Sequence, residues 1–380
     1  MRASIPISAF VAAVVGFGGT LAIIIAAAEA VGATQAQTAS WVTAICLAMA
    51  VETAWLSWRT RMPVITAWST PGAALVAAST GFTMADAVGA FIVTALLLVA
   101  TGLFKPLTKL VSRIPASVAS GMLAGIVVTF ALNAARTIPV DPWLVLPLIA
   151  AFFAIRLFNP ALSALAVLVG GGAFAFLSGR IGGLPAPELS TLAPTMPEFS
   201  VAATIGLAIP LYLVTMASQN LSGLAVLRAA GYRPDASPLI TVTGLVSLLA
   251  APFNALTTNL AAISAAICTG PDAHPDPDQR WKTGPFYALA YLIFAVFGAS
   301  LVAIFDVLPQ SLIVLVAGLA LMAPLANALS IALGHERERM AATIAFVVTA
   351  SGLTLGGIGS AFWGLIAGLI VLALEALKKG

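Results

Sequence analysis

Arg61-Met62-Pro63-Val64-Ile65-Thr66-Ala67-Trp68-Ser69-Thr70-Pro71-Gly72-Ala73-Ala74-Leu75 decides the fold. Val64–Trp68 is rich in β-branched and aromatic residues, which favours an extended backbone. Ser69-Thr70-Pro71-Gly72 then reads as a helix start, with a hydroxyl cap at Thr70 and proline at the first helical position. The stretch predicts a short strand that turns into a half-helix. Its surroundings are almost entirely apolar, so the break falls at membrane depth. Lipid cannot satisfy an extended backbone, and such a break survives only where protein or a water-filled cavity encloses it. Half-helix N-termini facing a substrate are a signature of secondary transporters.

An echo follows 188 positions on, in Pro252-Phe253-Asn254-Ala255-Leu256-Thr257-Thr258-Asn259-Leu260-Ala261-Ala262-Ile263. Ser69 falls on Thr257 and Thr70 on Thr258. The spacing, about half the chain, suggests an internal duplication. A second echo pairs Ile114-Pro115-Ala116-Ser117 with Leu308-Pro309-Gln310-Ser311.

Composition agrees with a membrane location. Hydrophobic residues make up 61% of the chain and charged residues 8%, whereas roughly 25% charged is ordinary for a soluble domain. The net charge of +3 is small, and the basic residues flank apolar runs, so nucleic acid is not implied. Met1–Ser4 leads into an apolar run without a clear cleavage site, which reads as a first span. Cys46 and Cys268 lie inside apolar segments. They offer neither a disulfide framework nor metal-ligand spacing, and no cofactor motif is present.

A span needs about 20 apolar residues. The expected fold is an all-α polytopic membrane protein of fourteen segments: 8–30, 40–58, 63–79, 86–104, 114–134, 141–158 and 160–178, then 201–224, 237–251, 253–269, 283–304, 309–333, 340–355 and 358–377. Residues 1–178 and 201–380 form two halves, joined by a Pro/Gly-rich extracytoplasmic connection, 179–200. Seven is odd, so duplicated halves would be inverted relative to each other. The short strands and half-helices fall in segments 3 and 10, with the half-helix N-termini converging.

Charge placement supports this order. Arg2, Arg59, Arg61, Lys105, Lys109, Arg113, Arg156, Arg228, Arg233, Arg280, Lys282, Arg337, Arg339, Lys378 and Lys379 fall on one side, against Arg136 and Arg180 on the other. The positive-inside rule makes the crowded side and both termini cytoplasmic, in an inner (plasma) membrane. Trp41 and Trp143 then mark outer ends, and Trp55, Trp58 and Trp281 inner ends.

Converging helix N-termini offer free N–H groups and partial positive charge, which suits an anion. Thr66, Ser69, Thr70, Gly72, Asn254, Thr257, Thr258 and Asn259 surround the breaks. Segment 8 adds Tyr212, Gln219 and Asn220, whose burial in a span is costly without partners. Trp68, Tyr212 and Phe253 could wall a flat ring. Capping, inter-helix bonding and plain packing are the competing uses for these residues. Glu52, inside segment 2, is the leading proton carrier and Glu29 the second. Asp86 and Asp306 read as solvated outer-end groups. His274 and His335 fall in loops, against a histidine relay.

Two stretches, Pro63–Ala73 and Met216-Ala217-Ser218-Gln219-Asn220-Leu221-Ser222-Gly223-Leu224-Ala225-Val226-Leu227-Arg228-Ala229-Ala230-Gly231-Tyr232, resemble the signature of the benzoate:proton symporter (BenE) family. The likeness covers essentially the whole chain. Ser222 departs from it, standing where proline is expected. The family in turn resembles the uracil-permease fold. That resemblance implies two inverted sevens, a core domain of segments 1–4 and 8–11, and a gate domain of segments 5–7 and 12–14 that often forms a homodimer. It also implies benzoate or a similar aromatic carboxylate as substrate and a proton as its partner, with rocking or elevator-type alternating access. Uracil-type carriers place glutamates on segments 8 and 10, near Gln219 and Asn259 here, and amides do not titrate. A carrier of another organic anion or a nucleobase-like substrate, and an anion channel, stay open. An intramembrane enzyme is disfavoured, since no nucleophile–base pair or ligand cluster lies within the spans.

Overall fold

The structure, a computed structural model, describes residues 3–104 and 115–377. Arg2, Lys105, Lys109, Arg113, Ile114, Lys378 and Lys379 lie outside the described residues, and with them part of the charge argument.

Most of the chain is helical. A bent pair, α1 (Ser4–Gly18) and α2 (Leu21–Ala30), leads to α3 (Gln35–Thr60), β1 (Thr66–Trp68), α4 (Thr70–Ala77) and α5 (Met84–Leu103). Next come α6 (Ala116–Arg136), α7 (Pro142–Phe158) and α8 (Ser163–Leu177). After the connection, α9 (Val201–Ala229) precedes α10 (Ala236–Ala250), β2 (Thr258–Leu260) and α11 (Ile263–Thr269). The chain ends with α12 (Thr283–Val296), α13 (Gly298–Val307), α14 (Gln310–Ala320), α15 (Met322–Gly334), α16 (Arg339–Ala350) and α17 (Ser360–Leu377). Among the described residues, eight helical stretches are long and apolar enough to cross a membrane. The pair ending in α12 and α13, bent by 61°, makes a ninth.

Local chemistry places the helix starts. Thr34 and Gln37 form a reciprocal capping box at α3, and Thr83 and Asp86 do the same at α5. Asp86 is therefore a cap. At α7, Asp141 caps and Pro142 takes the first turn, where its missing N–H is no loss.

The two strands form one antiparallel ladder with Thr66 opposite Leu260, Ala67 opposite Asn259 and Trp68 opposite Thr258. Ser69 N→Thr257 O (3.2 Å) and Ala261 N→Ile65 O (2.9 Å) extend it at both ends. These bonds satisfy backbone that lipid could not.

Three expectations need correction. Ser69, not Thr70, caps α4, because its hydroxyl accepts from Gly72 N at 3.2 Å while Thr70 is already helical. Thr258 is a strand residue and starts no helix; α11 begins at Ile263, and its cap position, Ala262, has no side-chain acceptor. Trp41 is no interfacial anchor: it is fully buried, edge-on to Phe91 at 5.3 Å. Trp55, Trp58 and Trp143 are exposed as expected.

The connection carries no helix or strand over residues 181–200, yet it is bonded down. Glu188 exchanges bonds with the Ser300 hydroxyl, and Ser190 N donates to Val296 O at 2.9 Å. Ala193 pairs with Ser40 and accepts from Asn254 Nδ2 at 2.8 Å. Thr195 N donates to Pro252 O, and Glu198 N to Ala85 O. The strap therefore lies across the ends of α3, α5, α10 and α13.

Candidate functional site

The two-stranded ladder has two faces, and the pleat sorts the polar residues between them. Thr66, Trp68, Thr258 and Leu260 share one face; Ala67 and Asn259 share the other.

On the first face each strand is pinned to a helix by the same three bonds. Thr66 N donates to Thr53 Oγ1 (3.0 Å), the two hydroxyls meet at 2.8 Å, and Thr66 Oγ1 donates to Met49 O (3.3 Å), all on α3. Thr258 N donates to Ser247 Oγ (2.9 Å), the hydroxyls meet at 3.0 Å, and Thr243 O lies at 3.4 Å from Thr258 Oγ1, all on α10. Thr66 and Thr258 are thus counterparts, and the sequence echo that paired Thr70 with Thr258 is out of step. The reason is geometric. The pairing follows which hydroxyl reaches the neighbouring helix, and short Ala-rich matches do not report that.

One group breaks the likeness. Glu52, fully buried on α3, accepts from Thr258 Oγ1 at 2.6 Å through Oε1, while Oε2 is buried without a hydrogen-bond partner. The single ion pair among the described residues, Arg180–Asp141, lies elsewhere. Glu29 is exposed at the end of α2, so of the two expected proton carriers one is enclosed and the other is not.

On the second face Asn259 is fully buried, and neither its Oδ1 nor its Nδ2 has a partner. Thr257 Oγ1 is buried and unpartnered as well. An orphaned buried amide costs the desolvation of both its ends. This is the strongest local sign of a ligand-facing side chain.

Most of the other expected residues have partners. Thr215 Oγ1 donates to Ser69 Oγ at 3.0 Å, tying α9 to the cap of α4. Gly72 fits because an added Cβ would stand 2.5 Å from Leu211 Cδ1 of α9. Asn220 Oδ1 accepts from Leu260 N at 3.0 Å, which satisfies the edge of β2. Trp68 Nε1 donates to Thr20 Oγ1 at 2.9 Å, and the ring packs on Phe17 at 5.6 Å. The Tyr212 hydroxyl is shared with Thr101 of α5. Phe253 O faces the Ser40 hydroxyl at 3.0 Å. Asn254 adopts a left-handed φ of 73° and is held by the strap, its Oδ1 buried and unpartnered. Thr70 and Gln219 are half-buried.

Sequence reading missed Thr53, Ser247 and Thr215, plain hydroxyl residues inside helices whose partners are distant in sequence. It also missed the helix geometry around Gln219. Residues 204–208 and 215–220 of α9 are π-helical, a local widening that recurs at functional sites. Gly223 follows the second of these. A Cβ there would meet Leu260 Cβ at 2.5 Å and the Leu260 backbone at 2.9 Å. Gly223→Val should force α9 off β2, break the Asn220–Leu260 bond and cost about 1–3 kcal/mol or more; a fall in detergent-solubilised thermal stability is the check.

Residues 2–374 match the family described as benzoate membrane transport protein, BenE. The chain belongs to the BenE family. Inner membrane protein YdcO of Escherichia coli (strain K12) is 44% identical over 95% of this chain and 93% of its own length. The benzoate membrane transport protein of Acinetobacter baylyi is 36% identical over 97% of this chain and 94% of its own. BenE proteins are membrane transporters and not enzymes. Among solved structures, the overall structure of SLC26A9 matches 98% of this chain with a TM-score of 0.66 at 12% identity. This BenE chain spans 65% of that protein's length. The transmembrane domain of the cyanobacterial bicarbonate transporter BicA matches 98% of this chain and 96% of its own, with a TM-score of 0.61 at 16% identity. These likenesses extend to the fold.

Proposed function

We propose that the chain imports benzoate, or a similar aromatic carboxylate, together with a proton by alternating access. The observation that carries this reading is the pair of neighbours on β2: Asn259, an orphaned amide on one face, and Thr258, bonded to a buried carboxyl on the other. Substrate would sit against Asn259, Thr257 and the start of α4, with Thr70 and Gln219 beside it. Glu52 would carry the proton. Burying an unpaired charge is expensive and burying a neutral acid is much less so, so loading and unloading a proton changes what the site can hold.

The energetics favour coupling. Moving one benzoate anion against an inside-negative potential costs about 2.3 kcal/mol per 100 mV. One proton cancels that charge.

In this reading the shorter helices α7, α8 and α16 and the two strand–half-helix units complete fourteen segments in two inverted sevens, both termini cytoplasmic. The repeated bonds of Thr66 and Thr258 support the duplication. Segments 1–4 and 8–11 form the core that carries the site, and the rest form the gate. The gate is where a second copy would pack.

Uptake of labelled benzoate into proteoliposomes tests the reading, with an inward proton gradient at zero membrane potential and a protein-free control. Gradient-driven accumulation, competed by unlabelled benzoate, is expected. Uptake that only equilibrates, or currents far above carrier turnover, would favour a channel instead.

A further inference from the structure

We propose that the Thr258 hydroxyl is the positioning group through which the proton on Glu52 sets the shape of the substrate strand. The inference rests on the proposed role of Glu52 and adds the link from that carboxyl to the binding residues.

A threonine hydroxyl has one hydrogen to give and can accept others. Thr258 Oγ1 has three neighbours: Glu52 Oε1 at 2.6 Å, Ser247 Oγ at 3.0 Å and Thr243 O at 3.4 Å. An ionised carboxylate only accepts, so Thr258 must then give its hydrogen to Glu52, and Ser247 can donate to Thr258. A protonated carboxyl can donate to Thr258. The Thr258 hydrogen is then free to turn to α10, to Ser247 Oγ or to the Thr243 carbonyl. The carbonyl contact is long, and closing it draws Thr258 away from α3 and towards α10. Thr257 and Asn259 flank Thr258 on the same three-residue run, and both carry buried polar atoms without partners. A shift of Thr258 necessarily moves them. The proton therefore reverses the direction of a short hydroxyl chain, and the strand follows.

Thr258 is the contact of Glu52 with the substrate strand; on the other strand, β1, the Thr66 hydroxyl also approaches Glu52. Ser247 and Thr243 of α10 face Thr258, and Thr53 of α3 faces Thr66. The titratable groups nearby are Tyr287 of α12, whose hydroxyl donates to Thr66 O at 3.2 Å, with Tyr291, Cys268 and Cys46 beside Tyr287. All are fully buried.

The test compares benzoate affinity across mildly acid to mildly alkaline pH for the purified full chain and its variants. One coupled proton changes affinity by up to about tenfold per pH unit, and wild type should approach that slope. Thr258→Val should still bind benzoate, but with a slope reduced to about twofold or less per pH unit. Thr258→Ser, which keeps the hydroxyl, should restore the slope. If Thr258→Val does not fold, Thr258→Cys, whose thiol is a weak donor, is read in the same way. A wild-type slope in Thr258→Val or Thr258→Cys overturns the proposal. Glu52→Gln separates the two readings. If it keeps the wild-type slope, the proton role of Glu52 fails. If it is flat while the Thr258 variants are steep, only the link through Thr258 fails.

Discussion

Glu52→Gln should abolish proton-driven accumulation of benzoate while leaving benzoate exchange across the membrane in place. Glutamine preserves the shape of the side chain and an acceptor for the Thr258 hydroxyl, whose bond to Oε1 measures 2.6 Å. It cannot ionise, so it removes any proton that the side chain would load and release. For one coupled proton, an inward gradient of one pH unit supports at most about tenfold accumulation. The variant should show none of it. Counterflow, in which internal unlabelled benzoate exchanges with external label, needs alternating access but no net proton movement and should survive. Glu52→Ala is a poorer probe, since it leaves a cavity and takes the acceptor from Thr258. Gradient-stimulated uptake by Glu52→Gln at wild-type level would exclude Glu52 as the carrier and turn attention to Glu29.

Asn259→Leu should bind benzoate far more weakly and yet unfold at higher temperature. The two effects share one cause. In the ligand-free protein the amide is buried with neither end paired, and replacing an orphaned polar group by an apolar one of similar size removes a penalty. In the proposed complex the amide would hydrogen-bond a charged carboxylate, and such a bond contributes about 1.5–3 kcal/mol. Losing it weakens binding by roughly tenfold to more than a hundredfold. Calorimetric titration and thermal unfolding on the same sample check both signs. Unchanged affinity would place the substrate elsewhere; lower stability with lower affinity would point to a merely structural side chain.

Much of this architecture is written locally. Pro71 and the hydroxyl residues before it announce a helix start, and the β-branched run before them announces β1. The bond pattern then moves the cap by one residue, to Ser69, because either hydroxyl satisfies the same composition rule. Glu52 stands out in sequence as a carboxyl inside an apolar run. Its partner does not, because Thr258 is brought to it by the pairing of two strands far apart in the chain. Trp68 shows the reverse. An aromatic beside a polar break reads as a ligand wall, but the pleat turns it towards Phe17 and Thr20, and a single sequence does not say which way each face of a strand points. Asn220 was legible as a costly amide; that it closes the edge of β2 depends on the close approach permitted by Gly223.

The strap has a consequence for how far anything can move. Arg180 is tied to Asp141 of the expected gate, and Glu188 to Ser300 of the expected core. Residues 181–187 between them are the whole slack at that point. The eight steps from Arg180 to Glu188 reach at most roughly 29 Å when fully drawn out. If the two bodies move against each other as proposed, the polypeptide itself would act as a leash on that stroke, setting an outer limit on the excursion that owes nothing to the bilayer or to the binding site.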